Sequence, residues 1–284
     1  MKKVILASIV LALAGFANAV SMVVGSFNVY ATLEDKKFAK ERLSLATSLI
    51  DYHDFDILAT QDNLYWQTKA ILGLGKYKVV GVNVEGFEPS ENAIPTNNIF
   101  YKSNKYTLLE KGSFWLSDSP EKKSNTWENK FPLNCNWTKF KENKTNKEFF
   151  VFNTCFSYPL KTRILSAKLL VKKVKEIAKD TTFIVAGSLY IREREYDTIN
   201  ALSPKFMIDT WKVAKLTSGP KGTFTNLDYN IPINNTMNYM DPRMKYDYIF
   251  VSKGVKVSKC GHLSDNVNNS YPSKHLPVEA YIQF

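Results

Sequence analysis

EFFVFNTCFSYPLKTRILSAKLLVKKVKEIAKDTTFIVAG, residues 148–187, reads as strand, helix and strand in succession. Lys161 to Lys179 carries Ala167, Leu170, Val174 and Ile177 on one face and Lys168, Lys172, Lys175 and Lys179 on the other, the pattern of a helix with one buried side. Asp180 and the two threonines after it end that helix, and Phe183 to Gly187 is apolar enough for a buried strand. A strand, a crossover helix and a second strand form the unit from which layered α/β folds are built.

Working outward, NIFYK, YTLLEKGSFWL and CNWTKFK precede this unit as strands joined by polar turns, and KENKTNKE closes a hairpin between CNWTKFK and EFFVFNTC. Farther upstream, Val23–Tyr30 and FDILAT (55–60) read as buried strands, Lys37–Tyr52 and Leu64–Leu74 as helices, the second ended by Gly75, and Tyr77–Val82 as a strand. Downstream, a helix from Glu193 to Leu202 and strands at TFTN, YDYIFVS and VEAYIQF complete the pattern. Alternating strands and helices mixed with hairpins imply two mixed sheets packed face to face with helices outside, a four-layered αββα sandwich.

The N-terminus has the form of an export signal. Lys2 and Lys3 precede an apolar run from Val4 to Phe16, and Ala17-Asn18-Ala19 offers a small-x-small cleavage site. The run is shorter than the ~20 residues that span a bilayer, and no later stretch is long and apolar enough to do so. The expectation is therefore an exported chain, periplasmic or extracellular, with residues 1–19 removed and 20–284 forming one domain. Stretches 83–97 and 218–243 are turn-rich and read as surface loops. With 44% apolar residues the chain can build a core, which excludes a disordered class. The net charge of +11, or +9 without Lys2 and Lys3, favours anionic partners such as nucleic acid, phosphorylated lipid or a charged surface; solvated lysines that only keep the protein soluble are the plainer account. Cys135, Cys155 and Cys260 are odd in number and show no zinc-ligand spacing.

GSFNVY (25–30), DILATQD (56–62), NNIFYKSNKYTLLEKGSFWLSDSP (97–120), NWTKFK (136–141), EFFVFNTC (148–155), RILSAKLLVKKVKEI (163–177), YDYIFVS (246–252) and YPSKHLPVEA (271–280) follow one another in a familiar order. Through them the chain resembles the endonuclease/exonuclease/phosphatase family, in particular its small secreted bacterial members, along essentially all of 20–284. The resemblance implies phosphoester hydrolysis with a divalent metal, usually Mg²⁺, held by acidic residues. It places Asn28 and Asp62 at the metal, with Asp62 standing where a glutamate is usual. It makes Asp247 and His275 the pair in which the carboxylate orients the imidazole.

Four positions depart from what the resemblance implies. Cys155 replaces a phosphate-contacting histidine, Ser188 the catalytic aspartate, Tyr190 an asparagine and Lys274 a metal-linked aspartate. The local charge then moves from about −4 to about −1, a poor setting for a divalent ion. The resulting expectation is a catalytically inactive member, with no cofactor, acting as a binding or interaction module for an anionic ligand or a protein partner. Two other readings stand beside it: a secreted phosphodiesterase, nuclease or phosphatase with a rearranged Mg²⁺ or Mn²⁺ site, and a surface or host-interaction protein working through loops 83–97 and 218–243. At single residues the readings also divide. Lys274 is either a new phosphate-binding group or a drifted residue, and the Asp247–His275 pair is an acid–base pair or a structural hydrogen bond. Cys155 is a nucleophile activated by His275, a simple apolar replacement, or, if the hairpin turns around Thr145, the disulfide partner of Cys135. Trp66 and Tyr190 are placed to stack on a base or a sugar.

Overall fold

The apolar runs become strands buried on both faces, and the elements follow the chain in the order the periodicities require. The computed structural model describes residues 19–30, 36–88, 94–127, 129–192, 195–230 and 244–284. The first half holds Ser21–Asn28 (β1), Lys36–His53 (α1), Ile57–Asn63 (β2), Tyr65–Leu72 (α2), Lys78–Val80 (β3), Thr96–Tyr101 (β4), Tyr106–Trp115 (β5) and Asn134–Glu142 (β6). The second half holds Glu148–Cys155 (β7), Leu160–Ala178 (α3), Thr182–Ser188 (β8), Tyr196–Ala201 (α4), Ile208–Asp209 (β9), Thr210–Val213 (α5), Leu216–Ser218 (β10), Asp247–Val251 (β11), Lys256–His262 (β12) and Val278–Gln283 (β13). One sheet has the order β10-β12-β13-β1-β2-β4-β3 and the other β5-β6-β7-β8-β11-β9.

Alternation along β7 shows how the four layers arise. Phe149 and Val151 point into the core between the sheets, where they meet Val24, Ile57, Ile99 and Ile249. Phe150 and Phe152 point the other way, onto Ala167, Leu170 and Val174 of α3. The other sheet does the same with Phe27, Leu58 and Phe100, which pack against Ile50 of α1 and Ile71 of α2. Each such fully buried large side chain stabilises the fold by roughly 1.5–3 kcal/mol. The αββα sandwich expected from the sequence is the architecture found.

Local expectations fare less evenly. The second helix ends at Leu72 with Gly73 as its C-cap, so Gly75, at φ 71°, belongs to the following turn. The helix expected from Glu193 is described only from Tyr196 to Ala201, with residues 193 and 194 outside the described set. TFTN makes a single bridge, Phe224 to His275, rather than a strand. Residues 256–262, KVSKCGH, form β12 although their charges mask the alternation.

The Cys135–Cys155 disulfide is ruled out by register. Lys141 pairs with Glu148, so the turn centre lies half a residue earlier than expected and Cys135 faces Thr154. A one-residue slip reverses the face of a strand residue. Cys135 accordingly lies in the helix-side core while Cys155 points toward Asp62 between the sheets, and all three cysteines are free and buried. Residues 1–18, which carry the export signal, lie outside the described set; among the described residues no helix is long and apolar enough to cross a membrane.

Candidate functional site

Strand ends, not sequence neighbours, assemble the site. β1 and β2 run parallel with Asn28 beside Gln61, which brings Asn28 and Asp62 to the same end of one sheet. In the other sheet Ser188 lies directly between Cys155 of β7 and Asp247 of β11. A Cβ at Gly187 would collide with the Thr154 carbonyl, so glycine permits the close approach of β7 and β8 just before Ser188. A bulge between Thr60 and Asn63 gives Asp62 a φ of 52°.

The side chains then form one continuous hydrogen-bonded chain across the two sheets. Asn28 Nδ2 donates to Asp62 Oδ2 at 2.8 Å and to Ser188 Oγ at 3.1 Å. The Ser188 hydroxyl donates to Asp247 Oδ1. His275 Nδ1 donates to both Asp247 oxygens, at 3.1 and 2.9 Å, and Thr223 Oγ1 donates to Oδ2 at 2.7 Å. The orientation of Asn28 is fixed by its other end, since Oδ1 accepts from the Tyr30 backbone N–H at 2.9 Å. The amide nitrogen therefore faces Asp62 and Ser188.

Asn28, Ser188, Asp247 and His275 are buried, and Asp62 is half-buried. Burial raises the carboxyl pKa of Asp62 above the usual range, against the lowering effect of the Asn28 amide. Burial, reinforced by the charges of Asp62 and Asp247, pushes the Cys155 thiol well up, which leaves it a thiol and not the thiolate a nucleophile requires. Its sulfur lies 3.9 Å from Asp62 Oδ2, and no His275 contact to it is present among the described residues.

Tyr190, at φ 52°, stands edge-on to His275 with ring centres 5.9 Å apart, and Phe224 and Tyr246 complete an aromatic collar at 5.0 and 6.4 Å. Lys274 is not part of the polar chain. Its Nζ lies 4.3 Å over the Tyr30 ring, and among the described residues no carboxylate pairs with it. Trp66 packs on Leu64. Among the described residues no three His, Cys, Asp or Glu side chains are grouped to hold a metal ion.

Thr223 and Ser273 were not expected. Thr223 bonds Asp247 through its hydroxyl, and Ser273 Oγ donates to the Asn28 carbonyl at 2.7 Å while accepting from the His275 N–H at 3.2 Å. Ser273 sits one residue from Lys274 in a motif already singled out. Thr223 is 24 residues from its partner, in the TFTN stretch that reads only as a strand. Beneath the site, Gln61 Nε2 donates to Asn153 Oδ1 at 2.8 Å, and Asn153 Nδ2 reaches the Thr60 and Asn98 carbonyls, tying the two sheets together.

No family model matches the sequence, and no curated protein matches it. Solved structures do. An endonuclease/exonuclease/phosphatase family protein from Bacteroides thetaiotaomicron is 29% identical over 94% of this chain and 98% of its own, with a TM-score of 0.81. A mannosyl-6-phosphatase from the same organism is 29% identical over 93% of this chain and 100% of its own, with a TM-score of 0.80. A Bacteroides vulgatus endonuclease/exonuclease/phosphatase is 27% identical over 93% and 98% of the two chains, again with a TM-score of 0.80. With this fold along its described length and 27–29% identity to such proteins over nearly all of both chains, this chain belongs to the endonuclease/exonuclease/phosphatase family.

Proposed function

We propose that this chain is an exported, non-hydrolytic member of its family that binds an anionic, phosphate-bearing ligand. The observation that carries this reading is the orientation of Asn28. A divalent cation such as Mg²⁺ or Mn²⁺ needs oxygen ligands, yet Asn28 turns an amide nitrogen toward Asp62 and Ser188. Reversing it would strip the Tyr30 N–H of its acceptor. Ser188 adds a hydroxyl where an acid would be wanted, and both Asp247 oxygens are already occupied by Ser188, Thr223 and His275. This donor set does not fit the metal.

The same end of the molecule still offers features that suit an anion. Lys274 holds an ammonium without a carboxylate partner among the described residues, and His275 is oriented by Asp247 inside an aromatic collar. Cation and oriented imidazole together suit a phosphate group, and Tyr190 supplies a ring face for its carrier. Export rests on the signal-like residues 1–19.

Activity decides the matter. The purified chain from Val20 onward, with Mg²⁺ or Mn²⁺, is expected to turn over neither bis(p-nitrophenyl) phosphate nor mannose 6-phosphate above a blank. Turnover abolished by His275→Ala would instead establish the enzyme reading, which the mannosyl-6-phosphatase relative and the retained pair favour. Binding is read separately, by calorimetry with mannose 6-phosphate: Lys274→Asp is expected to weaken it, and unchanged affinity removes the anion site. Fractionation of producing cells with N-terminal sequencing tests export.

A further inference from the structure

A second opening lies away from the Asp247–His275 pair. A cavity of about 960 Å³ lies between the start of α3, α4 and the β9–β11 edge. That is at the upper end of the ~300–1,000 Å³ usual for small-molecule sites. Tyr158, Tyr190 and Tyr246 divide it from the polar chain: Tyr190 lies 5.9 Å from Tyr158 and 5.1 Å from Tyr246 by ring centres, and the two flanking hydroxyls are 3.5 Å apart. Occupancy here is thus independent of the ligand proposed above.

Its chemistry has two parts. The inner wall is apolar, with Ile191, Leu202, Met207 and Phe250, and the rim carries exposed Tyr196 and Val213. Two partly buried ion pairs lie in the wall and satisfy themselves. Arg163 grips Glu195 through two bonds of 2.9 and 2.6 Å, and Lys245 grips Asp209 at 2.9 and 3.1 Å. Three further cations lining the cavity, Arg192, Lys212 and Lys221, have no carboxylate partner among the described residues and face only Asp197 as an uncommitted acid. Apolar depth with a cationic mouth selects against neutral polar molecules and against cations.

We propose that this cavity binds an amphiphilic organic anion, with an apolar or aromatic body on the inner wall and one carboxylate, sulfonate or phosphate head group at Arg192, Lys212 and Lys221. A bulky aromatic body suits the space better than a single extended chain, because Tyr158, Trp211 and Tyr248 supply ring surfaces around it.

The test uses the folded chain from Val20 and 1-anilinonaphthalene-8-sulfonate as the probe. Saturable fluorescence enhancement with one probe per chain is expected, competed by dodecanoate and not by dodecyltrimethylammonium. Ile199→Trp, which fills the space, and Arg192→Glu combined with Lys212→Glu, which reverses the mouth, should each weaken binding by about tenfold or more. The charge pair lies at the rim and carries the test if the filled variant loses its circular dichroism spectrum. Probe binding that neither variant alters, or equal competition by the cationic detergent, would overturn the proposal, as would no enhancement at all.

Discussion

The two ends of the sandwich each bury a carboxylate, and they stabilise it by different means. At one end Asp56 accepts from the Val23 N–H at 2.9 Å and lies 2.6 Å from Lys105 and 3.5 Å from Lys102, whose ammonium also bridges to Asp54. At the other end Asp247 is held by two neutral hydroxyls and an imidazole. The first is an ion-pair network in which ammonium groups face the acid. The second keeps an acid among two hydroxyls and an imidazole, where the family resemblance implies a metal ion nearby. Two buried carboxylates of one sandwich therefore differ in their partners, ammonium groups at one end and hydroxyls with an imidazole at the other.

The largest expected effect restores what the second end lacks. Cys155→His, Ser188→Asp, Tyr190→Asn and Lys274→Asp together should raise Mg²⁺-dependent cleavage of bis(p-nitrophenyl) phosphate by ~10² or more over the natural protein. A natural protein that already cleaves as fast breaks the comparison. Next, Asp56→Ala leaves the nearly buried Lys102 and the Val23 N–H without this acceptor. It should lower the unfolding free energy in urea by ~3 kcal/mol. Ser188→Ala removes one neutral donor from Asp247 and should cost about 1–2 kcal/mol by the same measurement. A stability gain there would show that the serine is strained and not satisfied.

The smallest effect concerns a third mixed cluster. His53 at the end of α1 faces Glu279 at 3.1 Å and Asp265 at 3.3 Å. Burial works against its charge, yet the bonds to Asp265 and Glu279 outweigh it and raise the imidazole from 6.5 to about 9. A pKa raised on folding contributes stability fully present below pH 6.5 and lost as pH climbs through about 9. Asp265 is well exposed, so the loss should be on the order of 1 kcal/mol. Urea unfolding at pH 6 and pH 9.5 should show it, and His53→Gln should flatten the difference.

Much of this was legible in the sequence. The β7–α3–β8 unit could be read because its helix separates lysines from aliphatics and its strands are apolar throughout. The site residues could be placed because Asn28, Asp62, Asp247 and His275 sit in motifs at strand ends. What stayed hidden is what register and long-range contact decide. Half a residue in the β6–β7 turn separated Cys135 from Cys155, and no local pattern encodes that offset. β12 escaped because four of its seven residues are Lys, Ser or His. Thr223 escaped because a loop threonine acquires meaning only beside Asp247. The ammonium of Lys274 was expected at the acids; its attraction to the Tyr30 ring depends on a side-chain path that sequence does not specify.

Tyr190 keeps the left-handed backbone, φ 52°, at a position where the family pattern implies asparagine. Asparagine takes that conformation several-fold more readily than most residues, whereas a bulky ring there holds it at a cost. The main chain at 190 thus already holds the shape an asparagine favours, so exchanging the ring for an amide there calls for no rebuilt loop.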